Sequence, residues 1–255
     1  MSLVMALKVR VAELLSRPAV GRVVGAVLRD RIPIRGCVID TRDGGIAPAV
    51  KAMLLFRLYE SAEIRFVQRL LRTDLDVVEL GGCLGVVSSQ IARRLQRGRR
   101  LVTVEPNPRL GEVIRRNVLA NAPDALLTVV SAAIDYSADG PQTTLALGEA
   151  NIDSALATGA ETRPSVRVPA TTLGRVLADH GMDEFVLVSD IEGAEAGMLQ
   201  RDGDSLAKCK QVLIELHPTT FEGRPVSVED MLAGLRRLGF RQVESYGPVF
   251  AFRRV

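Results

Sequence analysis

The chain is poor in cysteine, in long apolar runs and in net charge. Its three cysteines (Cys37, Cys83 and Cys209) are far apart and odd in number, which fits neither a disulfide framework nor a zinc-ligand pattern. A reducing, cytoplasmic setting is the simplest inference. No apolar stretch approaches the ~20 residues needed to span a bilayer, and no repeat or low-complexity tract is present. Lys8 and Arg10 break the first apolar stretch, and no small-residue cleavage site follows it cleanly, so a secretory signal is not expected. Core-forming residues are not scarce: 47% of the 255 residues are hydrophobic and 25% charged, which excludes general disorder. That length suits one large α/β domain or two small ones.

The small net charge of +3 is unevenly placed. Residues 1–35 hold seven basic groups (Lys8, Arg10, Arg17, Arg22, Arg29, Arg31, Arg35) against Glu13 and Asp30, a local balance of +5. The remainder carries 26 basic and 28 acidic residues, a balance of −2. The basicity therefore belongs to an N-terminal arm, which reads as two short helices, Val4–Leu15 and Val20–Leu28, interrupted at Pro18. An amphipathic cap on the main domain is the plain reading, and peripheral contact with a membrane surface or an anionic substrate the sharper one.

A short strand is expected at Cys37–Asp40, then a Gly44-Gly45 turn and helices at Ala49–Leu58 and Glu60–Leu71. Beyond Thr73, strands (Asp76–Leu80, Leu101–Glu105, Leu126–Ser131, Phe185–Asp190, Gln211–Leu216) alternate with helices (Val86–Leu95, Leu110–Ala120, Thr172–His180, Ala194–Leu199). A helix at Val228–Leu238 and strands at Phe240–Ser245 and Val249–Arg253 complete the pattern. Such alternation implies an α/β fold with a mostly parallel sheet. Gly247-Pro248 leaves no room for a crossover, so the last strand should run antiparallel. This is similar to the seven-stranded, Rossmann-like arrangement of class I methyltransferases. The loop-rich Asp135–Pro169 stretch is expected to carry an edge hairpin or a flap.

The chemistry-bearing text begins at Val77-Val78-Glu79-Leu80-Gly81-Gly82-Cys83-Leu84-Gly85. A strand ends in a carboxylate, glycines follow, and a helix starts. Ligands of open α/β sheets sit at the carboxyl ends of strands, and glycine lets the backbone approach them. A dinucleotide fingerprint requires G-x-G-x-x-G, and neither Gly81 nor Gly82 begins one. The pattern is acid-x-G-x-x-x-G, which resembles motif I of S-adenosylmethionine-binding enzymes. Twenty residues past Gly85, the strand Leu101–Val104 leads into Glu105, where a carboxylate can accept hydrogen bonds from both ribose hydroxyls.

Several blocks together resemble the FkbM family of methyltransferases. They are Tyr59-Glu60-Ser61-Ala62-Glu63, Glu79–Gly85 and Val104-Glu105-Pro106-Asn107-Pro108. Asn117 and Asn121 follow, then Thr172-Leu173, Asp190-Ile191-Glu192-Gly193-Ala194-Glu195 and Ile214-Glu215-Leu216. The resemblance spans about residues 50–220. It implies transfer of a methyl group from S-adenosylmethionine, leaving S-adenosylhomocysteine, to a hydroxyl on a sugar, polyketide or other secondary metabolite. It further implies that Glu79, Gly81, Gly82 and Gly85 line the methionine end of the cofactor. Glu105 would hold the ribose, with Pro106, Asn107, Ala132 and Ala133 near the adenine and Tyr59 and Glu60 on the cofactor side. Residues 1–71 become an N-terminal helical cap and 72–255 the cofactor-binding domain. Glu79 and Cys83 replace the family's usual aspartate and asparagine in motif I, and Val188 stands where a lysine is common.

An alcohol must lose its proton to accept a methyl group, so a base or an acidifying metal is expected near the reacting centre. Asp190 and Glu192 follow one strand, and Glu215 and His217 follow the next. Asp190, Glu192 and His217 are the catalytic candidates. Glu195 reads as a first-turn helix acid and His180 as a helix-end residue. Oxygen donors would suit a divalent ion such as magnesium, but acids without geometry assign none, and no metal ligand is named. Asn151 and Asp153 could contact substrate or simply form turns. One rival is an inert cofactor-binding domain. A nucleic-acid methyltransferase is disfavoured because Ser189-Asp190-Ile191-Glu192 lacks the D/N-P-P-Y/F block, and an NAD oxidoreductase by the glycine spacing. A small hydroxylated acceptor is the expected partner, no nucleic acid is expected, and oligomeric state stays open.

Overall fold

A computed structural model describes residues 15, 17–42, 45–137, 140–148, 155–156 and 164–255. The first helix of the arm, Gly44, Asn151 and Asp153 fall outside them. Helix α1 (Pro18–Leu28) starts with proline at its first position, where a missing N–H costs nothing. The hairpin β1 (Arg31–Ile34) and β2 (Cys37–Asp40) turns on Arg35 and Gly36, both with positive φ. Helices α2 (Pro48–Leu55) and α3 (Ser61–Leu70) follow. Strand β1 is absent from the sequence reading. Its apolar signal is just Ile32 and Ile34 around a proline, too short for a period to register.

The alternating region then supplies β3 (Asp76–Leu80), α4 (Val86–Ala92), β4 (Arg100–Val104), α5 (Gly111–Asn121) and β5 (Leu126–Val130). The loop-rich stretch holds β6 (Ala133–Ile134), β7 (Gln142–Ala146), β8 (Ala155–Leu156) and β9 (Ser165–Thr171), which form a separate four-stranded sheet in the order β6-β9-β7-β8. That is more than an edge hairpin. Next come α6 (Leu173–Asp179), β10 (Phe185–Ser189), α7 (Glu195–Arg201), α8 (Gly203–Ala207) and β11 (Cys209–Glu215). A small hairpin, β12 (Thr219–Phe221) and β13 (Arg224–Val226), was not anticipated; α9 (Val228–Arg237), β14 (Phe240–Tyr246) and β15 (Val249–Arg254) follow it.

The main sheet runs β14-β15-β11-β10-β3-β4-β5, and β15 alone is antiparallel to its neighbours. This is the class I methyltransferase arrangement. Strand side chains alternate between two apolar layers. Val77, Leu101, Val186 and Leu213 share one with Ile32, Ile39, Ile64 and Phe66 from the N-terminal elements. Val78, Val102, Leu187 and Val212 share the other with Leu173, Leu177, Met231 and Leu235 from α6 and α9. The N-terminal elements therefore pack into the core of the sheet itself.

Two asparagines on α5 fix the hairpin to that layer. Asn117 Oδ1 accepts from Asp40 N at 2.8 Å, and its Nδ2 donates to Leu84 O at 2.9 Å. Asn121 exchanges both its amide bonds with the backbone of Val38. The two side chains thus serve β2 as a neighbouring strand would. Among the described residues no helix is long and apolar enough to cross a membrane.

Candidate active site

The turn after β3 is built by contacts that exclude side chains. Gly81 has φ +91°, and a Cβ there would stand 1.9 Å from the carbonyl oxygen of Asp190. At Gly82 and Gly85 the same space is filled by Thr103 and Ile114. These glycines let β3, β4, α5 and the end of β10 close on one another. Cys83 has positive φ, and its Sγ lies 2.9 Å from the Tyr59 hydroxyl.

Glu79 is 1% exposed. Its Oε2 accepts from Ser88 Oγ and Thr103 Oγ1, whereas buried Oε1 has no hydrogen-bond partner among the described residues. Burial pushes its pKa up to about 7 despite the two hydroxyl bonds, with the Glu105 charge adding to the rise. Glu105, also buried, is pushed to about 7 by burial. Its Oε2 accepts from Cys83 N at 2.8 Å and its Oε1 from Asn107 N at 2.7 Å. Each carboxylate oxygen retains one further lone pair. Pro106 is half-buried, while Asn107, Ala132 and Ala133 are buried. Ala133 lies in β6, paired with Ala170 of β9.

Beside this turn lies a small, narrow pocket lined by Glu60, Glu63, Glu79, Asp190 and Glu215 among apolar side chains. Among the described residues no lysine, arginine or histidine lines it. Glu60 sits at the start of α3 in the left-handed region, and burial with the charges of Glu63 and Asp190 drives its pKa well upward. Asp190 is raised to about 7 by burial and by the charges of Glu192, Glu195 and Glu63. Glu215 is raised to about 9 by burial, by its hydrogen bond with Glu63 and by the Asp190 charge. Like charges that share a site hold one another protonated.

Of the residues expected from sequence, Glu60, Glu79, Gly81 and Asp190 line this pocket together. Gly82, Gly85, Glu105, Pro106, Asn107, Ala132 and Ala133 are not part of its lining. Glu192 is exposed with φ +52° and also lies outside it. His217 stands behind Glu215, with Nε2 3.1 Å from Glu215 Oε1. Glu63 was missed as a site residue. It shares a helical face with Val67 and Leu70, at spacings of four and seven, and a lone acid on an apolar face is the signal that could have found it. Glu195 is no plain first-turn acid. It is fully buried and accepts from Ile191 N at 2.9 Å and Gly193 N at 2.8 Å.

Comparison with known proteins follows this geometry. No match is found among curated proteins. Solved structures with similar arrangements include the magnesium protoporphyrin IX methyltransferase of Synechocystis PCC 6803, 12% identical, covering 71% of this chain and 74% of that one, with a TM-score of 0.40. A methyltransferase described from Pseudomonas syringae is 18% identical, covering 77% and 97%, with a TM-score of 0.41. An O-methyltransferase described from Klebsiella pneumoniae is 13% identical, covering 75% and 76%, with a TM-score of 0.40. The methyltransferase FkbM domain model matches residues 80–242, from the end of β3 into the start of β14. The chain belongs to the FkbM methyltransferase family.

Proposed function

We propose that the protein transfers a methyl group from S-adenosylmethionine to a hydroxyl of a small molecule. The observation that carries this reading is the acid-lined pocket beside the glycine turn. Glu79 Oε1 and Asp190 Oδ1 are buried there without hydrogen-bond partners. A lining of unpaired carboxylates, without a lysine or arginine among the described residues, suits a ligand that brings positive charge. When bound, S-adenosylmethionine supplies an activated methyl on a sulfonium.

Glu60, Glu79 and Gly81 would hold the methionine end, and the spare lone pairs of Glu105 the two ribose hydroxyls. Pro106, Asn107, Ala132 and Ala133 would flank the adenine. Asp190 accepts the proton of the acceptor hydroxyl, and its raised pKa near neutrality suits a base. Residues 1–71 act as the cap that shapes the acceptor side. Titration calorimetry with S-adenosylmethionine and S-adenosylhomocysteine tests the binding half. Turnover on hydroxylated and amine acceptors tests the rest. Failure to bind either compound overturns the cofactor assignment. Transfer to nitrogen alone overturns the hydroxyl assignment, and binding without turnover across the panel favours an inert binding domain.

A further inference from the structure

Four buried side-chain polar atoms (Glu79 Oε1, Ser189 Oγ, Asp190 Oδ1 and His217 Nδ1) lack a hydrogen-bond partner among the described residues, and they lie at or just beyond the carboxyl ends of β3, β10 and β11. Asp190 and His217 also belong, with Glu195, to a group whose potential ligand atoms all lie within 4.8 Å of one another. We propose that Asp190, Glu195 and His217 form a divalent-cation site that acidifies the acceptor hydroxyl.

Three features argue for a built site. His217 places Nε2 3.1 Å from Glu215 Oε1. Its buried Nδ1 has no hydrogen-bond partner among the described residues, and an unprotonated imidazole nitrogen is a common metal ligand. Glu195 is preorganised: the backbone bends through Glu192 (φ +52°) and Gly193 (φ +102°), and the N–H groups of Ile191 and Gly193 each hold one of its oxygens. Its own backbone N–H faces the carboxylate as well, which leaves a single lone pair for a cation. Asp190 completes the set with its unpartnered Oδ1. No lysine or arginine forms an ion pair with Asp190 or Glu195 among the described residues, whereas many surface acids have one. Two carboxylates and one imidazole suit a first-row divalent ion, manganese or zinc, better than a soft metal.

The site extends the proposed function and its chemical role rests on that reading. Held by these residues, the ion would make a hydroxyl bound to it more acidic, and Asp190 would take up the proton released. The ion itself is tested without cofactor or acceptor, so its failure is separate from failure of the methyltransferase reading.

Manganese titration of the full chain, followed by the loss of the free-ion electron paramagnetic resonance signal, is the experiment. One equivalent should bind, and His217→Ala and Asp190→Asn should each weaken binding at least tenfold. Circular dichroism melts of both variants verify that they fold. Should either variant unfold, His217→Gln replaces it, with the same tenfold loss expected. Absence of a stoichiometric site, or folded variants that bind manganese like the parent, overturns the proposal.

Discussion

Replacing Glu79 with glutamine isolates what it costs the fold to keep a carboxylate in the pocket. The side chain is 1% exposed, and its pKa is about 7 in the folded protein against an ordinary 4.5. Below about pH 4.5 the group is protonated in both folded and unfolded chains and has no effect on the balance. Between about 4.5 and 7 the unfolded chain releases the proton and the folded one keeps it, so stability falls as pH rises. Above 7 both are ionised and the loss is complete, at about 3 kcal/mol. Glutamine abolishes this term. It also puts an N–H donor where unpartnered Oε1 stood, at a cost of about 1–3 kcal/mol that does not depend on pH. The measurable quantity is therefore the change in the difference between variant and parent. Urea denaturation at pH 4 and pH 8 should show that difference moving by about 3 kcal/mol in the variant's favour, with the slopes unchanged. A difference that stays flat with pH would refute the assignment of Glu79 as a buried acid ionising at a cost.

Other perturbations follow from the same contacts. Glu105→Gln turns an amide N–H toward one of the two backbone donors, Cys83 N or Asn107 N. It should destabilise the fold by about 2 kcal/mol and weaken S-adenosylhomocysteine binding, as read by thermal melts with and without ligand; unchanged affinity would remove the ribose role. Gly81→Ala sets a Cβ 1.9 Å from the Asp190 carbonyl and should cost more than ~3 kcal/mol by denaturation, so a parent-like melt contradicts the packing described. Asn117→Ala leaves Asp40 N and Leu84 O unpaired in the interior, worth about 2–4 kcal/mol, while Asn121→Ala frees groups that water reaches and should cost under ~1 kcal/mol. Equal losses in the two would contradict the clamp. Affinity for S-adenosylmethionine should rise with pH through about 7 as Glu79 and Asp190 ionise, and more steeply than for the uncharged sulfur of S-adenosylhomocysteine. Parallel calorimetric pH profiles would disprove charge pairing at the sulfonium.

The parts of the fold that could be read beforehand are those whose signal is local. Glu79 followed by glycines and an amphipathic run marks a strand, turn and helix within about a dozen residues, and Gly247-Pro248 forces reversal because it is too short for a crossover. Strands β1, β12 and β13 went unread because three or four residues carry too little period. The pairing of β6 with β9 joins segments more than thirty residues apart, a relation no window of sequence displays. At the site, the acids after β10 and β11 were legible as strand-end groups. The role of Glu195 was not, because it depends on the bend at Glu192 and Gly193 turning two N–H groups onto one carboxylate. The convergence of Glu63 from α3 likewise required the packing of a helix far from those strands in sequence.

Strand β15 lies between β11 and β14 rather than at the sheet's edge. During synthesis, β14 leaves the ribosome before the strand that must separate it from β11, so it has nowhere to dock until residues 249–254 arrive. Val249, the first of them, also lines the acidic pocket and pairs with Glu215. The pocket wall is therefore completed only after β14 has already emerged. A nascent chain that lacked β15 would expose the free edge of β11 together with unburied β14, which is the state in which a folding factor or an aggregating neighbour would meet this protein.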